Sequence, residues 1–339
     1  MAERKNYIDA VKGLSMLCIV AGHFGMEVVN KFVFTFHVPI FLIVSGLFFT
    51  PRDGIIKKRV TQLVKPYLTT AVIVYIIVIV KETAKFILGR NTTFVIATYL
   101  SGFVLEVLYG SGSRTDFLSF ELPAIGAVWF FLAIVWATAI LYCTEKYIPD
   151  KLSIVKYVVI IAVFFASYFS AKYTWLPLSV QAGMSSALFM YIGYTAKKYR
   201  VLEQPSKIIW FVISALIWVA AIYFSYKNDN MSVVRSYFPD VVINICGAVA
   251  SSYIIIIIMK KSESFGWLSN SAPYHLLCCW GKNSSIILCC HLIELRTVNW
   301  SFLYNYGKIG ILAVFIIKVT LISLISWFIV KHDKIRRFF

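Results

Sequence analysis

Tyr7-Ile-Asp9-Ala-Val-Lys12-Gly-Leu-Ser-Met-Leu-Cys18-Ile-Val-Ala-Gly-His23 and, after a short turn, Phe34-Thr-Phe-His37-Val-Pro39-Ile-Phe-Leu-Ile-Val-Ser45-Gly46-Leu-Phe-Phe49 are the stretches whose reading decides the fold. Each is apolar and long enough to cross a bilayer, and the short turn between them makes the two helices antiparallel. Lys12, His23 and His37 interrupt the apolar pattern. Lys12 and His23 are eleven residues apart, which on a helix puts them on one face at depths differing by ~16 Å. Asp9, three residues before Lys12, and Glu27, four after His23, have the spacing to pair with them on that face. A polar stripe in a membrane segment is expected to line a cavity inside a bundle rather than face lipid. The competing reading has Lys12 and Asp9 snorkelling to the headgroups and His23 bonding a neighbouring helix.

Composition extends this reading to the whole chain. Of 339 residues, 60% are hydrophobic, 17% aromatic and only 14% charged, more apolar surface than a soluble core buries. Eleven apolar runs follow one another, approximately 7–29, 32–50, 60–80, 93–109, 125–144, 154–171, 178–196, 207–226, 238–259, 276–295 and 308–331. Arg4, Lys5 and the basic turn with Arg52, Lys57, Lys58, Arg59 and Lys65 mark the cytoplasmic side. The later loops keep their Lys and Arg on that side only if the run 93–109, which carries Glu106, does not cross. That run therefore reads as a re-entrant or interfacial helix. The expectation is an all-α polytopic membrane protein of about ten transmembrane helices in one bundle, a single domain over 1–339 with no separate soluble domain and both termini cytoplasmic.

The net charge of +17 follows from the cytoplasmic bias toward anionic membrane lipids, and no nucleic-acid partner is expected. The seven cysteines fall in apolar runs without a CxxC pair, and no cleavable signal peptide is evident.

Three histidines are expected at one depth near the outer leaflet. His37 lies early in the second helix, and His291, with Glu294 three residues on, arrives there from a run starting on the cytoplasmic side. Convergence on a metal would need all three on one ion, and no HxxxH or HExxH pair supports that, so no metal is expected. Pro39 frees a carbonyl one turn earlier, and Ser45-Gly46 permits close helix approach. Trp129, opening a later span, is either an interfacial anchor or a sugar-stacking residue. Arg114, Asp116 and Glu121 in the long outer segment are candidate acceptor determinants, or simply solvated.

Taken in order, Lys12 with His23, Phe36-His-Val-Pro-Ile-Phe41 with Ser45-Gly46, Lys65-Pro66-Tyr67, Ala127-Val-Trp129-Phe-Phe-Leu132, Leu188-Phe-Met-Tyr-Ile-Gly-Tyr194 and Gly281-Lys-Asn-Ser with His291 resemble the membrane-bound acyltransferase family 3. The likeness runs nearly the full length and is greatest to the branch of fucose 4-O-acetylases and polysaccharide O-acetyltransferases. It implies a bacterial cell-membrane enzyme that moves an acyl group, usually acetyl, from cytoplasmic acetyl-CoA or another acyl-CoA to a hydroxyl of a cell-surface or lipid-linked glycan. By position, His23 matches the family's essential histidine and Lys12 its basic partner, usually Arg. A pair of arginines three apart is matched by Arg59 and Gln62, with Lys57, Lys58 and Lys65 as further contacts for CoA phosphates. His23, oriented by Glu27, would be the base or an acyl relay, with His37, His291, Glu294, Trp129 and Ser45 toward the acceptor. A transporter or exporter of a glycan or lipid intermediate is the alternative; it calls for paired broken-helix repeats, which are not evident.

Overall fold

The computed structural model describes residues 5–23, 25–89, 95–117, 120–205 and 207–339. Arg4, the first residues of the run 93–109 and the side chain of Asp116, singled out above, lie outside the described residues. In chain order the helices are α1 (Asn6–Ala21), α2 (Glu27–Val33), α3 (His37–Leu47), α4 (Ile55–Ile87), α5 (Ile96–Tyr109), α6 (Trp129–Tyr147), α7 (Ser153–Ser170), α8 (Val180–Lys198), α9 (Ile208–Lys227), α10 (Val241–Ser264), α11 (Gly266–Ser269), α12 (Ala272–Lys282), α13 (Ser284–Thr297), α14 (Ser301–Tyr304), α15 (Gly307–Lys331) and α16 (Asp333–Arg336). A small antiparallel hairpin, β1 (Thr115–Phe117) with β2 (Phe120–Leu122), lies between α5 and α6.

Seven helical segments among the described residues are long and apolar enough to cross a membrane, eight if α12 and α13 count as one span. Both remaining runs of the expected ten are also helical: α1 has only 16 residues, and α8 is diluted by Gln181, Ser185, Ser186 and two glycines. Most of each is buried against protein rather than facing outward, so neither needs the apolarity of a lipid-facing helix. Residues 96–109 of the run read as re-entrant or interfacial form the 14-residue α5, too short to span.

One span expected to be continuous is interrupted and another is broken. The second span, Glu27–Leu47, is interrupted at Phe34–Phe36, one turn before Pro39, whose ring excludes the preceding carbonyl and whose missing N–H cannot bond it, and still counts as one span. The run near 276–295 bends by 88° at Asn283, between α12 and α13.

Two close crossings fix the frame. A Cβ on Gly13 would lie 1.9 Å from the Leu277 carbonyl oxygen, and one on Gly281 would lie 1.8 Å from that of Asp9. The same reciprocity joins α3 to α8, through Gly46 against Met190 and Gly193 against Ile43, each with 1.9 Å to a carbonyl oxygen. In both pairs the contacts run in opposite chain directions, so the helices cross with opposed polarity. Small residues at membrane-helix crossings let backbones touch, which gains dispersion contacts that lipid does not match. These crossings seat α1 between α12, α10 and α3 at the centre of the bundle.

Candidate active site

His23 follows the last turn of α1. Its ring centroid is 5.3 Å from that of His291 on α13, so residues 268 positions apart in sequence converge. His23 and His37 line a cavity of about 170 Å³, walled by Phe34, Trp129, Phe130 and the segment Met231–Val234. His291 stands behind His23 and is fully buried.

A chain of charged groups backs His291. Its Nδ1 is 3.6 Å from Glu294 Oε2, beyond hydrogen-bond length, and neither ring nitrogen has a hydrogen-bond partner among the described residues. Glu294 Oε1 is 3.3 Å from Lys318 Nζ on α15 and accepts a hydrogen bond from Trp300 Nε1. Glu294 and Lys318 are 3% and 1% exposed, so this ion pair is as buried as the apolar core. The i,i+3 spacing of His291 and Glu294 predicts their proximity; the pairing of Lys318 with Glu294, across two helices, has no local signal.

Glu27 departs from expectation. Because α1 ends at Ala21 and the chain turns before α2 begins, Glu27 is not one helical turn from His23; it opens α2 and is exposed. His37 lines the cavity, but its Nδ1 lies 2.7 Å from the Val33 carbonyl and its ring packs edge-on against Phe34 at 4.7 Å. Ser45 is not at the cavity: its hydroxyl donates to the Phe41 carbonyl at 2.9 Å, on its own helix. Trp129 is there, 8% exposed at the start of α6.

The segment 231–234, which falls between two apolar runs of the sequence, closes one side of the cavity. Ser167 and Ser185 hydroxyls hold it through Ser236 Oγ at 2.8 and 2.9 Å and contact each other at 2.7 Å. Ser236 is buried and sits at φ 48°, a conformation a side chain adopts at a cost that these bonds offset.

At the other end of α1, Lys12 lines a larger cavity of about 600 Å³ with Lys5, Asp9, Lys197, Arg200 and Glu203, its Nζ 5.2 Å from the centre of the Phe48 ring. A neighbouring cavity of about 380 Å³ is lined by Arg52, Lys58, Arg59 and Gln62. Both include Phe48, and neither shares a lining residue with the histidine cavity. Lys58 and Arg59 line the smaller cavity together with Arg52. Lys57 and Lys65 are exposed and line neither cavity, Lys65 lying 5.5 Å from the Phe338 ring instead.

The bundle therefore carries a basic end, where α1, α3, α4 and α8 meet, and a histidine end, where α1, α13 and the loop before α10 meet. No curated protein and no solved structure matches the chain. A family model described as an acyltransferase domain matches residues 5–331. That span holds both basic cavities and the whole histidine cluster, and on it the chain belongs to the acyltransferase 3 family, enzymes that transfer acyl groups.

Proposed function

We propose that the chain transfers an acetyl group from acetyl-CoA at the basic end, facing the cytoplasm, to a hydroxyl of a cell-surface or lipid-linked glycan at the histidine end. The observation that carries this reading is His23 on a small cavity, paired with the buried His291 behind it, at the opposite end of α1 from two cation-lined cavities. Helix rise separates Lys12 from Ala21, the last residue of α1, by ~14 Å, with His23 two residues beyond, a distance an extended pantetheine arm covers.

In this mechanism the neutral His23 imidazole takes the proton of the acceptor hydroxyl as its oxygen attacks the thioester carbonyl. The carbon–sulfur bond breaks, and CoA leaves as thiolate, which then takes a proton. His291 stands beside the ring that becomes positive, and the Glu294 carboxylate next to it offsets that charge through space. Trp129 offers an aromatic face on the cavity for a sugar. In the relay version His23 is acylated first and passes the group to the hydroxyl, with the same balance of bonds.

The test uses inverted membrane vesicles with radiolabelled acetyl-CoA and host glycan. Label should enter glycan with the intact protein and be lost with His23→Ala at equal membrane level. Near-normal labelling by His23→Ala sinks both versions. Absence of label from the folded intact protein with several acyl donors sinks the donor assignment.

A further inference from the structure

We propose that a cavity between α4, α5 and α13 holds the start of the isoprenoid tail of a lipid-linked acceptor, with Arg296 on its diphosphate. The inference rests on the acetyl-transfer reading above and deepens it, because of the two kinds of acceptor it selects the lipid-linked glycan.

The cavity, of about 320 Å³, follows from the way α5 is made. That helix is largely apolar all round. Leu100, Val104, Leu105 and Leu108 are exposed, and Tyr99, Gly102, Phe103 and Glu106, at helical spacing, turn toward the bundle and line the cavity. No residue of α5 is buried. Among the contacts that hold it, the Tyr75 ring stacks on Phe103 at 4.4 Å and the Tyr67 hydroxyl donates to the Val107 carbonyl at 2.7 Å. Gly102, at the middle of the inner face, leaves space, since a Cβ there would meet nothing within 4 Å. Ala71, Val74 and Val78 of α4 form the facing wall. Protein interiors close up apolar gaps of this size, so one kept open beside lipid is room for a chain.

Position and charge identify the occupant. Ile125 and Leu292 line this cavity, while the next residue along the loop, Gly126, lines the histidine cavity and His291 precedes Leu292 on α13. A Cβ on Gly126 would lie 2.6 Å from Leu292 Cδ1, so the wall between the two cavities is one side chain thick. At this wall Arg296 Nη1 donates to the Ala124 carbonyl at 3.3 Å and Nη2 to Glu106 Oε1 at 2.8 Å. Lys81 Nζ donates to the Thr297 carbonyl at 3.3 Å, which brings a second cation to the same end of α13.

A glycan carried on an isoprenoid diphosphate has its parts in the order these features offer: chain in the apolar cavity, diphosphate at Arg296, sugar hydroxyl toward His23. Glu106 then holds the guanidinium edge that the diphosphate takes over as a bidentate, charge-assisted partner. A finished polymer has no apolar part for the cavity. A phospholipid has two chains where there is space for a stretch of one, and no sugar to present to His23.

The test is binding of radiolabelled farnesyl diphosphate, a short isoprenoid diphosphate, to the purified protein in detergent. Arg296→Gln should weaken binding at least about tenfold, the loss of charge-assisted bonds to a phosphate. Glu106→Gln should tighten it severalfold, because the competing carboxylate is gone. Gly102→Leu, which helix propensity favours, should fill the cavity and weaken binding at least about tenfold while the melting midpoint holds. Arg296→Gln and Glu106→Gln weakening binding alike would make the pair a structural tie and overturn the proposal. Unchanged binding by Gly102→Leu, displacement by phosphatidylglycerol as effective as by unlabelled farnesyl diphosphate, or no binding at all would each overturn it too. A second arm supplies the vesicles with lipid-linked glycan or with the same glycan released by mild acid. Acetyl label should enter the lipid-linked form at least about tenfold faster. Equal labelling of both overturns the tail site and leaves the transfer reading standing; label in neither, with farnesyl diphosphate bound as expected, sinks the transfer reading and keeps the lipid diphosphate site.

Discussion

Replacing Lys318 with Met tests whether the buried charges behind the histidines are a coupled unit. Lys318 Nζ and Glu294 Oε1 are 3.3 Å apart, and at an effective dielectric constant of ~20 their attraction is about 5 kcal/mol. Methionine keeps most of the side-chain volume, so the loss is electrostatic rather than a cavity. Glu294 keeps the Trp300 hydrogen bond but faces an apolar surround with no cation, and breaking a buried pair in this way costs about 3–5 kcal/mol. For a chain of this size that lowers the melting midpoint on the order of 10 °C. The double variant Lys318→Met/Glu294→Gln removes both charges and should recover at least ~2 kcal/mol of the loss. It should not recover the proposed acetyl transfer, because His291 then has no carboxylate beside it. The assay is thermal melting in detergent followed by size exclusion, with vesicle labelling in parallel. A Lys318→Met protein that melts with the intact one, or a double variant no more stable than the single, refutes the coupling.

Gly281→Ala puts a methyl 1.8 Å from the Asp9 carbonyl oxygen, where no rotamer relieves it. It should cost at least about 1–3 kcal/mol by melting, whereas Gly102→Ala in α5, with nothing within 4 Å, should be neutral or slightly stabilising. Ser185→Ala removes the hydroxyl tying the 231–234 segment to α8 and should cost about 1 kcal/mol, with a raised acceptor KM and kcat kept; an unchanged KM would show that the segment does not meet the acceptor. The Tyr142 hydroxyl and the Lys146 ammonium hold the exposed Asp53 carboxyl below its usual range. A lowered folded value stabilises the fold above the unfolded value, about pH 3.9, and that contribution is lost as pH falls through the folded one. Asp53→Asn should therefore lower the melting midpoint slightly at neutral pH and have no effect in strong acid; equal effects at both would exclude the ionic contribution.

The sequence by itself determined the class. Apolar runs of bilayer length do not depend on tertiary context for their meaning, because the backbone must satisfy its own hydrogen bonds wherever water is excluded. Histidines in such runs are costly enough to single out His23, His37 and His291 as candidates, and the interruption before Pro39 was foreseeable from covalent structure alone. Tertiary structure decided which ionisable groups meet. Helical periodicity put Glu27 under His23, but periodicity holds only while the helix continues, and α1 ends at Ala21. Lys318 reaches Glu294 and the 231–234 segment reaches the histidines across long sequence separations. Their placement depends on glycine contacts at the crossings and on the 88° bend at Asn283, relations between elements that no local pattern encodes.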